Sequence, residues 1–246
     1  MWEASVDLHV HTVASACAEL EMIPPFIVER ALAVGLGGIA VTDHNTAENV
    51  PAVMRAAQGT GLHVWPGIEA QTHEEAHILC LFDTAEQALA WQEVLYDHLP
   101  PLKNDEALWG MQIVVDEEGN YVRTNDRLLQ VATSLTVEEM VEGVHALGGL
   151  AIAAHVDRSA FSLLANLGFI PTGLALDALE VTPHTPLERF WAQYPDLAGR
   201  PIIVSSDAHR LADLQPRMRV RLGAPTVAEL SKAFRGEEGR LLKVLP

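Results

Sequence analysis

Histidines and carboxylates in this 246-residue chain fall at the ends of short apolar runs. His9 and His11 close "ASVDLHVH", Asp43 and His44 close "GGIAVTDH", and Glu69 closes "LHVWPGIE". His77 opens "HILCLF", His155 closes "LAIAAH", Glu180 lies in "ALEV", and Asp207 and His209 close "PIIVSSDAH". Charge buried at such ends is costly unless it is paired or binds a metal, so the set reads as a metal site. Side chains two apart on a strand share a face, so His9 points with His11 and Asp207 with His209. Imidazoles and carboxylates at this spacing suit divalent Zn, Mn or Fe. Glu69 is the natural bridging carboxylate. Two ions about 3.5–4 Å apart would hold a hydroxide between them and support in-line displacement at phosphorus.

Strands alternating with helices must position these groups. Strands are expected at 4–10, 37–44, 62–69, 77–82, 150–155, 178–181 and 201–209. Helices are expected between them, over "PPFIVERALAVG", "ENVPAVMRAAQGTG", "TAEQALAWQEVLYDHL", 136–147 and 159–167, with a last one near 226–235. Prolines fit the first turn of the first helix, Gly35 its end, and Thr84 with Gln87 makes a capping box. Apolar, β-branched strands separated by helices imply parallel pairing covered on its faces. About seven such units favour an α/β barrel over an open sheet, with the polar strand ends gathered on one rim. His77 opens its strand, so that strand either runs antiparallel or is followed by a loop folding back. Residues 100–134 break the alternation and read as an insertion containing a hairpin that turns near Gly119 and Asn120.

The remaining candidates have plainer readings. His63, His73, His98, His145 and His184 end no barrel strand with a partner and are taken as structural or surface residues. Cys80 lies three residues from His77, on the opposite strand face, and reads as a core thiol. Cys17 follows the first strand within reach of the rim, and stands open between a packing thiol and a metal-bound thiolate. "GLGG" at 35–38 precedes a strand, so it is weak as a phosphate cradle.

Composition bounds the partners. With 33 acidic against 16 basic residues the formal charge is -17, a surface that repels long polyanions. A small phosphorylated substrate is therefore expected, and no long nucleic acid. No apolar run is long enough for a membrane span. Two cysteines and no signal-like N-terminus suit the cytoplasm.

"DLHVHT", "VTDHN", "GIEA", "AHV" and "SSDAH", in this order, resemble the PHP (polymerase and histidinol phosphatase) family, and "FSLLANLGFIP" resembles its small stand-alone bacterial members. The resemblance implies one PHP domain over 1–246, a distorted (β/α)7 barrel of the TIM type, two or three divalent ions, and phosphoester hydrolysis. It implies that His9, His11, Glu69 and Asp207 hold one ion, and that Glu69, His77 and His155 hold a second. His44 and His209 would hold a third, with Cys17 where many members carry a harder ligand. A thiolate there would favour zinc or iron over manganese. Asp43 would orient a ligand or the attacking water, and Arg158 would reach a phosphate. His209 or a metal-held water would protonate the leaving alcohol. The expected activity is hydrolysis of a small phosphate ester. The alternatives are a nuclease or short-oligonucleotide phosphodiesterase, and a non-catalytic metal-binding PHP domain.

Overall fold

Pro24 and Pro25 start the first helix, where a missing amide hydrogen costs nothing, and Gly35 ends it in the left-handed conformation, at φ +80°. The computed structural model describes residues 1–245. It begins β1 (Trp2–Val10), α1 (Pro24–Ala33), β2 (Leu36–Val41), α2 (Val50–Ala56), β3 (His63–Gln71), with the three strands parallel. β4 (His77–Leu81) and α3 (Ala85–His98) follow, then α4 (Glu106–Trp109) and a hairpin of β5 (Ile113–Val115) and β6 (Tyr121–Thr124). The chain continues through α5 (Val137–Ala146), β7 (Leu150–Ala153), α6 (Leu163–Leu167), β8 (Ala178–Glu180), α7 (Leu187–Gln193) and β9 (Ile202–Ile203). It closes with β10 (Met218–Leu222), α8 (Val227–Arg235) and β11 (Leu241–Val244). Capping boxes at Thr84/Gln87 and Thr136/Glu139 fix the starts of α3 and α5.

Nine strands form one sheet in the order β11-β10-β1-β2-β3-β4-β7-β8-β9. Its far edge bends back to β1: Val10 bridges Ala208, with His11 N to Ala208 O at 3.0 Å and Ala208 N to His9 O at 3.1 Å. The result is the expected distorted α/β barrel, nearly closed. β4 runs antiparallel to both β3 and β7, so His77, its first residue, lies opposite Gln71 at the C-terminal end of β3. That reversal brings His77 to the rim.

Two buried clusters hold the barrel. Leu8, Ala40, Trp65, Leu79, Leu81, Ile152 and Ile203 belong to one, and α8 adds Val227, Leu230 and Ala233 to it. The second cluster packs strands against the surrounding helices. Close neighbours explain the glycines of β2: a Cβ on Gly38 would sit 2.6 Å from the Trp65 ring, and one on Gly37 would sit 2.7 Å from Ala4. Those glycines serve packing. Truncating Trp65 to alanine would cost about 3–5 kcal/mol.

Two details depart from the strand and helix assignments made from sequence, and one strand lies where none was assigned. β9 spans two residues, and Val204 to Asp207 leave the sheet before Ala208 bridges back to β1, with Asp207 at φ +51°. "RMRVR" at 217–221, a basic cluster by composition, lies mostly in β10, which pairs antiparallel with β1 and alternates buried Met218, Val220 and Leu222 with exposed Arg219 and Arg221. α6 starts only at Leu163, because Ser162 caps it by accepting from Ala165 N. Among the described residues, no helix is long and apolar enough to cross a membrane.

Candidate metal centre

The rim centres on Glu69. Its Oε1 lies 2.8 Å from His77 Nδ1, 3.0 Å from His155 Nε2 and 3.3 Å from His9 Nε2. Its Oε2 lies 2.9 Å from His44 Nδ1 and 3.4 Å from His11 Nε2, yet makes no aligned hydrogen bond. One buried carboxylate therefore faces five imidazoles. Asp207 adds Oδ1 at 3.2 Å from His9 Nε2 and 3.1 Å from His11 Nε2, and those two ring nitrogens face each other at 3.2 Å.

Local backbone features aim these groups. Between Asp7 and Val10 the pairing of β1 with β2 slips by a residue, a bulge that turns His9 inward after Leu8, which already packs inside the barrel. His155 and Asp207 both hold positive φ, at 29° and 51°. Each such non-glycine residue costs about 1–3 kcal/mol, strain that typically gathers at functional sites.

Buried partners set the ring tautomers. His9 Nδ1 donates to Glu180, whose oxygens lie 3.2 and 3.0 Å away. Glu180 also accepts from His155 N at 3.0 Å. His11 Nδ1 donates to Ser15 Oγ at 2.9 Å, and Ser15 donates onward to Asp43 at 2.7 Å. Both histidines thus turn Nε2 toward the centre, the atom that a metal-binding histidine must offer once it has lost its proton. Sequence reasoning placed Glu180 on its strand but gave it no role, and overlooked Ser15. The one available signal for Glu180 was an acid inside an apolar strand.

Burial would raise Glu69, but His77, His9 and His44 hold its carboxyl well below the usual range. Burial likewise opposes the ionisation of Asp207, and His9 and His11 hold its carboxyl far below normal. The imidazoles divide. Burial disfavours the charged form of each, but Asp207, Glu180 and Glu69 raise His9 well above its usual value. His11 falls well below, through burial and the neighbouring His209.

Three groups have donor atoms close enough to share an ion: His9, His11, Glu69 and Asp207; His44, Glu69 and His77; and His11, His44 and His209. Glu69 Oε2 and His155 Nδ1 are buried without hydrogen-bond partners among the described residues. Unpartnered buried donor atoms inside an imidazole–carboxylate cluster fit divalent metal ions. Cys17 adjoins the third group: Gln130 Nε2 donates to its Sγ at 2.8 Å, and its thiol contacts His209 and His44.

Two residues expected to act in catalysis have defined partners in the structure. Asp43 is fully buried and spends its oxygens on Thr12 N at 2.7 Å, Thr12 Oγ1 at 2.6 Å and Ser15. It positions the His11 loop and does not face the opening. Arg158 turns to Asp207, Nη2 to Oδ2 at 2.6 Å, with its side chain half exposed.

Among the histidines taken as structural, His63 packs edge-on against Trp65 and His145 pairs with Asp177 at 2.8 Å. Cys80 is fully buried. The 100–134 segment packs beside the rim: Ile113 N donates to Val13 O at 2.8 Å, and Asn45 reaches Leu129 O and Val131 O.

An imidazole–carboxylate cluster on the C-terminal rim of a nearly closed α/β barrel defines a metal-centre protein. The chain matches the PHP domain family over residues 7–166, and it belongs to that family, whose members are metal-dependent hydrolases. It is 36% identical over 89 residues to the 5'-3' exoribonuclease Rnm of Salmonella typhimurium, covering 34% of this chain and 29% of that one. The fold is similar to that of the lesion-specific endonuclease Q of Pyrococcus furiosus, with a TM-score of 0.75 at 20% identity over 98% of this chain and 58% of that one. An amidohydrolase from Chromobacterium violaceum is similar over 87% of this chain and 90% of that one, with a TM-score of 0.59 and 19% identity. The chain thus spans less than two thirds of the exoribonuclease and of endonuclease Q.

These findings correct the expectation of a small phosphorylated substrate and no long nucleic acid. The exoribonuclease acts on RNA by name, and an endonuclease Q is seen in complex with a 27-mer duplex substrate carrying an abasic lesion. Whole-chain charge does not exclude such substrates, because it averages over a surface of which a substrate meets only a small part.

Proposed function

We propose that this chain is a metal-dependent phosphodiesterase acting on nucleic acid. The observation that carries the reading is Glu69, one buried carboxylate facing five imidazoles beside Asp207. The nucleic-acid substrate is suggested by the exoribonuclease and endonuclease relatives.

His9, His11, Glu69 and Asp207 would hold one divalent ion, and Glu69, His77 and His155 a second. His44, His209 and Cys17 would hold a third, of zinc or iron in preference to manganese, because a thiolate is a soft ligand. Bound ions would supply Lewis acidity and a nucleophile at neutral pH.

The protein's own groups do the rest. Glu180 and Ser15 keep His9 and His11 in the tautomer that turns Nε2 inward. Asp43 holds Ser15 and the loop after β1 in place. If only two ions bind, His209, whose ring is one quarter exposed, is free to give a proton to the leaving oxygen. Phe161, half exposed, stacks on His77 with centroids 5.0 Å apart and planes 20° apart. Its outer face offers a platform for a base. One sheet takes strands from both ends of the chain, which supports reading 1–246 as a single PHP domain.

The test is cleavage of end-labelled single-stranded RNA, single-stranded DNA and abasic duplex with added Mn, Zn or Fe. Metal-dependent cleavage that is lost in Glu69→Gln is the expected result. Metal-loaded protein inert on all three polymers overturns it.

A further inference from the structure

Asp207 is a wall shared by two compartments. Its Oδ1 faces His9 and His11, and its Oδ2 takes the guanidinium of Arg158. Beyond it opens a cavity of about 390 Å³ bounded by Arg158, His184, Ser206, Asp207, Arg210 and Arg217. The volume lies in the range of small-ligand sites.

The charge of this cavity is unusual for the molecule. Only 16 of the 246 residues are Lys or Arg, against 33 acids, yet three arginines converge here. Two acids accompany them. Arg158 meets Asp207 at 2.6 Å, and Arg210 grips Asp213 through Nε at 3.2 Å and Nη2 at 3.0 Å. Arg217 has no ion pair among the described residues, and its Nε is buried without a hydrogen-bond partner among them. The cavity therefore keeps an excess of positive charge and unused guanidinium donors. Planar guanidinium forks match phosphate oxygens in pairs, and a weakly hydrated guanidinium gives up its water readily. His184, treated from sequence as a surface residue, adds an imidazole to the same wall.

We propose that this cavity is a phosphate subsite holding the phosphate next to the scissile one on a nucleic-acid strand. The proposal rests on the nuclease reading for its substrate but on the arginine cavity for its location. It also accounts for how so acidic a chain could hold a polyanion: the attraction is local. The phosphate held is either a terminal monoester or an internal diester. The chemistry of recognition is the same for both.

The experiment uses the full chain, with Arg210→Gln and Arg217→Gln as separate variants, Arg217→Lys as a charge-keeping control, and circular dichroism to verify folding. Binding is read in metal-free protein by fluorescence anisotropy of a labelled trinucleotide, with and without a 5'-phosphate. Cleavage is read in Mn-loaded protein on the same trinucleotides and on bis(p-nitrophenyl) phosphate, which carries no neighbouring phosphate.

Each glutamine variant is expected to weaken trinucleotide binding at least 5-fold and to reduce its salt slope by about 1. KM for trinucleotide cleavage should rise by a similar factor, with activity on the bis-ester unchanged and Arg217→Lys largely restored. An effect confined to the 5'-phosphorylated strand assigns the terminal phosphate, and an effect on both assigns the internal one. Undiminished trinucleotide binding in both folded glutamine variants overturns the subsite, as do equal losses on trinucleotide and bis-ester. A wild-type protein that binds the trinucleotide through these arginines and cleaves no polymer sinks the nuclease reading alone.

Discussion

Glu180 on β8 closes on His9 of β1, with both carboxylate oxygens within 3.2 Å of Nδ1 and neither side chain exposed to solvent. The pair joins strands 171 positions apart and leaves His9 Nε2 facing Glu69 and Asp207. Its role is to fix a tautomer and to make that nitrogen more basic.

Glu180→Gln is expected to keep the fold and lower metal affinity about 10–100-fold, the usual cost of losing such a supporting carboxylate. Metal content after dialysis against graded chelator measures it. A variant that unfolds no earlier and retains metal as tightly as the parent would remove Glu180 from this role.

The two cysteines should differ sharply in metal-free protein. Burial works against ionisation of Cys17, but His209 and His44 outweigh it and hold the thiol at about 6, whereas burial pushes Cys80 up to about 12. Only the thiolate is nucleophilic, so iodoacetamide at pH 7 should modify one thiol, mapped to Cys17 by mass spectrometry. Zinc added first should protect it. Equal alkylation with and without zinc would show that Cys17 is not a ligand.

Phe161 stacks on His77 from a left-handed backbone at φ +56°, a conformation that strains an aromatic residue. Phe161→Ala is expected to weaken binding of single-stranded oligonucleotide by about 1–3 kcal/mol per stacked base. An abasic oligonucleotide should bind parent and variant alike. The comparison separates stacking from any disturbance of His77, which would affect both ligands.

Acid stability should depend on Glu229, which the Arg240 guanidinium and Gly223 N hold down at about 2. A carboxyl depressed in the folded state adds stability above its ordinary value near 4.3, and that gain disappears as pH falls toward 2. Thermal midpoints of parent and Glu229→Gln should therefore differ at pH 6 and converge near pH 2. A constant difference across that range would assign the effect to lost hydrogen bonds alone.

Much of the centre was legible because polar residues interrupt apolar strands. His9, His11, Glu69, His155 and Asp207 stand where an unpaired ionisable group is expensive, so their presence there asks for partners. His77 at the head of its strand left two routes to the rim, and the structure takes the antiparallel one. The expected alternation failed at Asp207, since the chain has left the sheet there and a positive φ, not strand periodicity, aims the carboxylate. β10 lay in a stretch given no element from sequence, although Met218, Val220 and Leu222 alternating with Arg219 and Arg221 have the two-residue period of a strand with one wet face.

The sequence by itself determined the barrel and the kinds of donor on its rim, because both follow from local periodicity and from the cost of buried charge. Only the tertiary structure decided which donors share Glu69, that Glu180 serves His9, that Asp43 faces inward, and that three arginines of an acidic chain meet behind Asp207. Those relations join residues tens to hundreds of positions apart. A bulge, two left-handed residues and the closing bridge from Val10 to Ala208 set them, and none of these leaves a periodic mark on the chain.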